Sequence, residues 1–386
     1  MKSTKVLALL VAAVFAFAGA AFAQDAPKAD EPKPVVDVSG VLYLDWGYVQ
    51  KANEASSLKE GSDTMRLQRA YLNFAKKIDD MWSVKVTLDG VGVTTQEASI
   101  DGDEVDGDPD ALPDDNLTVS NSTKANNVML IKNAYVQGTF DPAFVLKVGA
   151  AGMPWTGYVE KYYGMRYVEN TLTDRLKYAN SADWGAHASG DLGNGFNYAV
   201  AVVNGAGYKN PSRSKGVDVE GRLAWEITPE FAVAVGGYSG YLGQEKQNND
   251  AEKRYSRGDV MVAYAGPMFR LGGEYFTAKN LGQVQQTAVP AVGDKATGWS
   301  LWSSVRLAQT ANGDVSVFGR YDKTDTSKTL NPFREDTYWN VGVEYPVLKN
   351  FKLAAVYKDT DATVGSLASP SQTKTKELGI WGDLKF

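Results

Sequence analysis

From Val36 onward the chain alternates apolar and polar side chains with a period of two. Val36, Val38, Gly40, Leu42, Leu44, Trp46 and Tyr48 hold one parity, and Asp37, Ser39, Tyr43 and Asp45 fall between them. Successive side chains of an extended backbone point to opposite faces, so this spacing builds a strand with one apolar and one polar face. A 3.6-residue helical turn would scatter the two classes around its circumference. The pattern returns at Trp82, Val84, Val86 and Leu88, at Phe196, Tyr198, Val200 and Val202, and at Trp339, Val341, Val343 and Tyr345. With a less regular segment at Met65 to Ala75, about sixteen strands are expected.

The connections alternate too. Lys77-Ile78-Asp79-Asp80, Asp141-Pro142, Gly193-Asn194-Gly195, Thr228-Pro229-Glu230, Gly266-Pro267, Asn312-Gly313 and Leu348-Lys349-Asn350 read as tight turns. Between them lie longer polar loops near 51–64, 90–126, 150–181, 205–216, 241–257, 279–297, 323–336 and 359–374. Aromatic residues flank the short turns, as in Phe74 and Trp82, Phe140 and Phe144, Tyr264 and Phe269, and Tyr345 and Phe351. Short turns at one end, long loops at the other and an aromatic girdle define an all-β, transmembrane, antiparallel up-and-down barrel. A soluble sandwich gives no reason for that asymmetry. Closure follows because an open sheet edge in hydrocarbon leaves backbone polar groups unpaired. The expected setting is the outer membrane of a Gram-negative bacterium, among its lipid and lipopolysaccharide.

Residues 1–23 place Lys2 and Lys5 before an apolar run from Val6 to Ala18 and then Ala21-Phe22-Ala23, the layout of a cleaved secretory signal. Residues 24–34 (QDAPKADEPKP) read as a charged, Pro-rich disordered linker, which leaves 35–386 for the barrel. Zero cysteines remove disulfide, iron–sulfur and thiolate-zinc chemistry. A net charge of -6 argues against a nucleic-acid partner, which needs a clustered basic excess.

Barrels of about eight strands fill with side chains, whereas about sixteen leave an aqueous channel. The inward parity carries the charges of a wetted wall. Arg69, Lys85, Lys147, Arg222, Arg270, Glu274, Arg306, Arg320 and Glu344 are candidate pore-wall residues, with Asp37, Asp89 and Glu220 on the same parity.

The run from Phe196 to Gly205 (FNYAVAVVNG), then Gly221-Arg222-Leu223 and Gly273-Glu274-Tyr275-Phe276, resembles the phosphate-selective porin O and P family over nearly all of the chain after the leader. Val148-Gly149, Met153-Pro154-Trp155, Glu169, and Asp183-Trp184-Gly185 with Ala188-Ser189-Gly190 are similar to that family's third-loop region. The resemblance implies a third loop folded inward, homotrimers, passage of anions such as phosphate, and Phe386 as the signal read by the outer-membrane insertion machinery. At the constriction this loop offers Lys161, Arg166, Arg175 and Lys177 against Glu160, Glu169 and Asp174, charges that either line the passage or pack the loop as a salt-bridge network with no direct part in conduction. Asn170 and Ala182 stand where that family has Arg. With inward acids and bases of mixed sign, the expectation is passive diffusion of small hydrophilic solutes and ions, weakly selective and without a cofactor.

Three other readings are open to the residues. Asp101, Asp103, Asp106 and Asp108 crowd the second loop and carry oxygens suited to Ca²⁺, although their spacing does not fit an EF-hand. His187, the single histidine, shares its parity with Asp183 and Ser189, as a hydrolase barrel would require, but residues four apart on one strand are separated by about 13 Å. A structural or adhesive surface barrel with a plugged lumen has the same strand pattern.

Overall fold

The computed structural model describes residues 36–53, 56–101, 118–211, 213–245, 254–281 and 293–386. The expected leader 1–23 and linker 24–34 lie outside these residues, as do Asp103, Asp106 and Asp108 of the acidic loop. Sixteen strands follow one another: β1 (Asp37–Ala52), β2 (Asp63–Lys77), β3 (Trp82–Asp101), β4 (Thr118–Asp141), β5 (Phe144–Gly152), β6 (Ala182–Gly193), β7 (Phe196–Val203) and β8 (Asp218–Glu226). They continue as β9 (Phe231–Gly240), β10 (Tyr255–Ala265), β11 (Phe269–Lys279), β12 (Lys295–Thr310), β13 (Gly313–Asp325), β14 (Glu335–Leu348), β15 (Phe351–Ser366) and β16 (Ser369–Lys385). Each pairs with the next, and β16 returns to β1 with Leu384 opposite Leu42 and Leu378 opposite Tyr48, so the barrel is closed.

The alternation read from the sequence maps onto the two faces of this wall. Leu301 is 55% exposed toward the outside, whereas its neighbour Ser300, facing in, is 1% exposed. Aromatic pairs gird the short-turn end, with Phe140 and Phe144 centred 5.7 Å apart, Tyr264 and Phe269 at 4.6 Å, and Phe196 stacked on Trp225 at 5.3 Å. A second belt runs nearer the long loops, where Trp299 meets Tyr321 at 5.4 Å and Trp339 meets Tyr357 at 5.2 Å. Along β14 the two belts, at Trp339 and Tyr345, are about 20 Å apart, close to the height of an outer-membrane apolar band.

Two segments expected to be loops are largely strand. β3 and β4 stay paired from Val91 opposite Val128 to Asp101 opposite Thr118, and β15 and β16 pair out to Ser366 opposite Ser369. Lipid imposes alternation only within its own thickness, so a ladder that continues into water keeps its hydrogen bonds and loses its apolar stripe.

The irregular second strand has a specific cause. Tyr43 faces Arg69 but Leu44 faces Leu67, which makes Gln68 the extra residue of a β-bulge. Arg66 and Arg69, three apart, therefore both reach inward: Arg66 bonds Asp45 at 2.9 Å, and Arg69 lies 3.6 Å from Asp89. A second bulge, at Lys132 on β4 between Ile131 and Asn133, likewise shifts the parity.

Leu301→Arg, on the lipid face, is expected to destabilise the barrel by about 2–4 kcal/mol in urea unfolding from lipid vesicles, whereas Gln137→Arg, on the water-filled face, changes stability little.

Candidate functional site

The third loop, residues 153–181, turns into the barrel. Its first helix, α1 (Thr156–Tyr163), ends at Gly164, whose φ of 76° lies in the left-handed region that glycine adopts without steric cost. A Cβ there would sit 2.9 Å from Arg270 Nη1. The space lets Arg270 donate to the carbonyls of Lys161 at 3.2 Å and Tyr162 at 3.3 Å, capping α1. A short second helix, α2 (Leu172–Arg175), follows.

The wall opposite the loop's apolar face is cut back to receive it. Inward positions on β8 to β10 hold Ala224, Ala232, Ala234, Gly236 and Ala263, and a Cβ on Gly236 would come within 2.5 Å of the Trp155 ring. Trp155, Val159 and Tyr162 are buried in that seat.

Charged side chains of β8 to β15 then clamp the loop's backbone. Glu220 accepts from the Trp155 N–H at 2.9 Å, and Glu274 accepts from the Leu172 N–H at 2.9 Å. Arg222 donates to the Pro154 carbonyl at 3.1 Å, Arg257 to the Tyr178 carbonyl at 2.6 Å, Lys358 to the Val168 carbonyl at 2.7 Å, and Arg320 to the Asn170 carbonyl. Tyr167 donates to Glu344 at 2.6 Å. Arg257 and Arg320 are each held by an aspartate two residues on, the same-face position of a strand, with Arg257 Nε 2.8 Å from Asp259 Oδ1 and Arg320 Nη2 2.7 Å from Asp322 Oδ2. Arg257 also meets Glu220 at 2.9 Å, and each guanidinium, locked by carboxylates, spends a remaining N–H on the loop.

The residues picked out in the sequence thus divide. Arg222, Arg270, Glu274, Arg320 and Glu344 hold the third loop. Within the loop, Arg175 pairs with Asp322 at 3.1 Å and with Asp336, Glu169 pairs with Lys358 at 3.2 Å, and Lys161 pairs with Glu226 at 2.9 Å. Arg166 bonds Glu160 at 2.7 Å and lies 3.7 Å from Asp174. This trio lies close enough to Tyr43, Tyr71 and Lys132 to feel their charge and dipoles. Arg306 pairs with Asp314 at 3.5 Å, beside the Asn312-Gly313 turn. Lys85 and Lys147 lie on the β3 and β5 walls, and Lys177, with φ 64°, stands exposed where the loop leaves the lumen.

Several members of the site carry no signal in isolation. Arg257, Asp322, Asp336 and Lys358 look like any inward charge. So does Lys132, whose parity the bulge conceals. The loop after β7 also folds inward: Tyr208 donates to Asp89 on β3 and brings Lys209 beside Arg69 and Lys177. A legible clue to the clamps was the repeated Arg-x-Asp spacing at 257–259 and 320–322. A clue to the seat was the run of small inward residues on β8 to β10.

The loop's charges titrate unequally. Burial opposes ionisation of Glu169, but Lys358, Arg175 and Arg320 together outweigh it and hold that carboxyl at about 2. Burial pushes the Glu160 carboxyl above the ordinary carboxylate range, with Arg166 and Lys132 offsetting only part of the effect. Burial and the neighbouring Arg69 push the Lys209 ammonium down.

His187 does not form a hydrolytic arrangement. Its Nε2 lies 3.2 Å from the Asp183 carbonyl oxygen, while the Asp183 carboxylate turns to the backbone N–H groups of Trp184 at 2.7 Å and of Gly205 and Gly207 at 3.0 Å. Among the described residues no group of three His, Cys, Asp or Glu side chains is placed to hold a metal ion. Asp101 closes β3.

A sixteen-stranded closed barrel with a third loop pinned inside it defines an outer-membrane channel protein. The chain belongs to the Gram-negative porin family, whose profile matches residues 8–380. Solved structures of the same fold include the anion-selective porin from Comamonas acidovorans (13% identity, 90% of this chain and 99% of that one, TM-score 0.57). The outer membrane channel DcaP of Acinetobacter baumannii is similar over 91% of this chain and 97% of its own (9% identity, TM-score 0.58). OprB of Pseudomonas putida is similar over 91% and 94% respectively (10% identity, TM-score 0.60). Comparison with curated sequences returns no match. The protein is therefore a porin of the Gram-negative outer membrane, with a channel fold.

Arg257→Met leaves Glu220 and Asp259 buried without their cation, which costs about 3–5 kcal/mol. The expected result is a larger and noisier single-channel conductance, because the Tyr178 end of the loop is released. Glu169 has a depressed carboxyl, so its contribution is complete above the unfolded-state value and is lost only as pH falls through about 2. Conductance recorded down to pH 3 should therefore show the loop still docked, and a step increase at pH 4 would contradict that assignment.

Proposed function

We propose that the protein is a passive-diffusion channel with a modest preference for small anions, assembled as the homotrimer that the resemblance to phosphate-selective porins implies. The observation that carries the sign is an imbalance between the two halves of the lumen. On β8 to β15 Arg222, Arg257, Arg270, Arg320 and Lys358 clamp the third loop, and Arg306 and Lys323 pair with Asp314 and Glu335. On β3 to β5 and the adjoining loops, Lys85, Lys132, Lys147, Lys177 and Lys209 lie within salt-bridge distance of no carboxylate among the described residues. The acids nearest the opening are already engaged, Glu160 and Asp174 by Arg166 and Asp89 by Arg69 and Tyr208. Uncompensated charge sets the potential that a passing ion meets, and here that charge is positive. The sign matches that of the Comamonas acidovorans porin. Phosphate enters as one small anion among others, since Asn170 and Ala182 withhold the two arginines expected of a phosphate-selective channel.

Reversal potentials in planar bilayers under a KCl gradient test the reading. Chloride should exceed potassium in permeability by a factor on the order of a few, and Lys85→Gln with Lys132→Gln and Lys147→Gln should bring the ratio toward unity. Glu160 titrates before Glu169 as pH falls, because its carboxyl is raised, and its neutralisation leaves Arg166 with Asp174 as its one remaining carboxylate among the described residues. Chloride preference should therefore rise on acidification. A potassium preference, or folded trimers that pass no ohmic current, would refute the proposal.

A further inference from the structure

On the footing of that anion reading, we infer that the solutes this lumen favours are carboxylates carrying a flat apolar body, aromatic carboxylates foremost, over compact hydrated anions such as phosphate. The ammonium groups of the open wall that have no carboxylate partner among the described residues lie against phenol rings, and that of Lys132 donates to the Tyr71 hydroxyl at 3.0 Å. Lys132 Nζ is 4.4 Å from the centre of the Tyr71 ring and 6.0 Å from that of Tyr208. Lys147 Nζ is 5.2 Å from Tyr135, and Lys209 Nζ is 5.8 Å from Tyr208. Lys85 is the register partner of Tyr135 across β3 and β4. Tyr43 meets Tyr71 edge to face at 6.2 Å and lies 6.4 Å from Tyr167 of the third loop, which carries the rings across the constriction.

The register stacks these pairs along the pore. Gln137, level with Lys147, faces Ser83, then comes Lys85 facing Tyr135, and then Asp89 facing Tyr71. From Ser83 to Asp89 the strand rises about 20 Å. The wall therefore presents a ring with its cations at two heights, Tyr135 between Lys85 and Lys147, and Tyr71, which faces Asp89, beside Lys132. On the opposite side the cations beside rings are engaged elsewhere: Arg222, 3.8 Å from the Tyr158 ring, donates to Pro154 and Asn197, Arg175 of the third loop, 4.6 Å from Tyr338, pairs with Asp322 and Asp336, and Lys352 and Lys358 pair with Glu344 and Glu169.

A carboxylate accepts a charge-assisted hydrogen bond from each ammonium, and a ring attached to it packs offset or edge-on against the adjoining phenol. Phosphate can use only the first of these. The phenol faces occupy the positions where further donors would have to stand to replace its water. An anion with an apolar face is thus handed between like sites, whereas acetate and phosphate meet the cations alone.

The test uses the full folded protein in planar bilayers, with KCl carrying the current and sodium benzoate, cyclohexanecarboxylate, acetate or phosphate added to one side. Benzoate should reduce or interrupt the current at a concentration on the order of tenfold below that needed for acetate or phosphate, with cyclohexanecarboxylate between. Tyr71→Leu with Tyr135→Leu should narrow the gap between benzoate and acetate to about twofold. Should that variant fail to fold, the series on the unaltered protein decides alone. Equal effects of benzoate and acetate alongside an intact chloride preference would overturn this inference and leave the anion channel standing. A potassium preference in KCl would remove the anion channel itself.

Discussion

The backbone of this protein has no water to bond to across the thickness of a membrane, and every other property is arranged around that fact. Sixteen antiparallel ladders with β16 returned to β1 leave no edge open within the wall. Closure at that strand number encloses a lumen too wide for its own side chains to fill. Water enters, and the inward parity must then carry charge. The period of two is the written trace of this arrangement, because hydrocarbon acts on one face and water on the other.

A wide lumen filled only by water would discriminate little by size, and the third loop supplies the restriction. Its placement depends on buried charges meeting backbone groups that have no secondary-structure partner. Glu220 and Glu274 take loop N–H groups, while Arg222, Arg257, Arg320 and Lys358 take loop carbonyls. Removing a loop from water exposes it to the full cost of unpaired backbone polar groups, and a wall furnished with both signs of charge meets that cost on both sides. Mixed charge on the inward parity is what an anchoring surface needs, whatever the sign of the solute.

How much of this was legible follows from which solvent wrote the pattern. Outward residues such as Val341, Val343 and Tyr345 were readable because lipid tolerates few alternatives, and the tight turns were readable from their Gly, Pro and Asn content. The hairpins beyond Gly90 and beyond Lys358 were not, because water on both faces erases the stripe while the ladder persists. Gln68 and Lys132 hid two changes of parity that no local composition marks. The inward-folded third loop is expected from resemblance, and Arg320 and Glu274 are visible as inward charges, but their bonds to Asn170 and Leu172 join segments more than a hundred residues apart. Only Arg257-Gly258-Asp259, Arg320-Tyr321-Asp322 and the small residues of β8 to β10 offered a local hint.

The seat at Gly236 and the clamps beside it lie on one flank of the lumen, and the lysines without a carboxylate partner among the described residues lie on the other. Aperture and taste are thus written on separate strands. Ala234 and Asp259 belong to the loop's seat and clamps, Lys85 and Lys132 to the wall facing away from them, so either set can be substituted without removing a contact of the other. A lineage carrying this barrel is free to adjust its diet and its gauge one at a time.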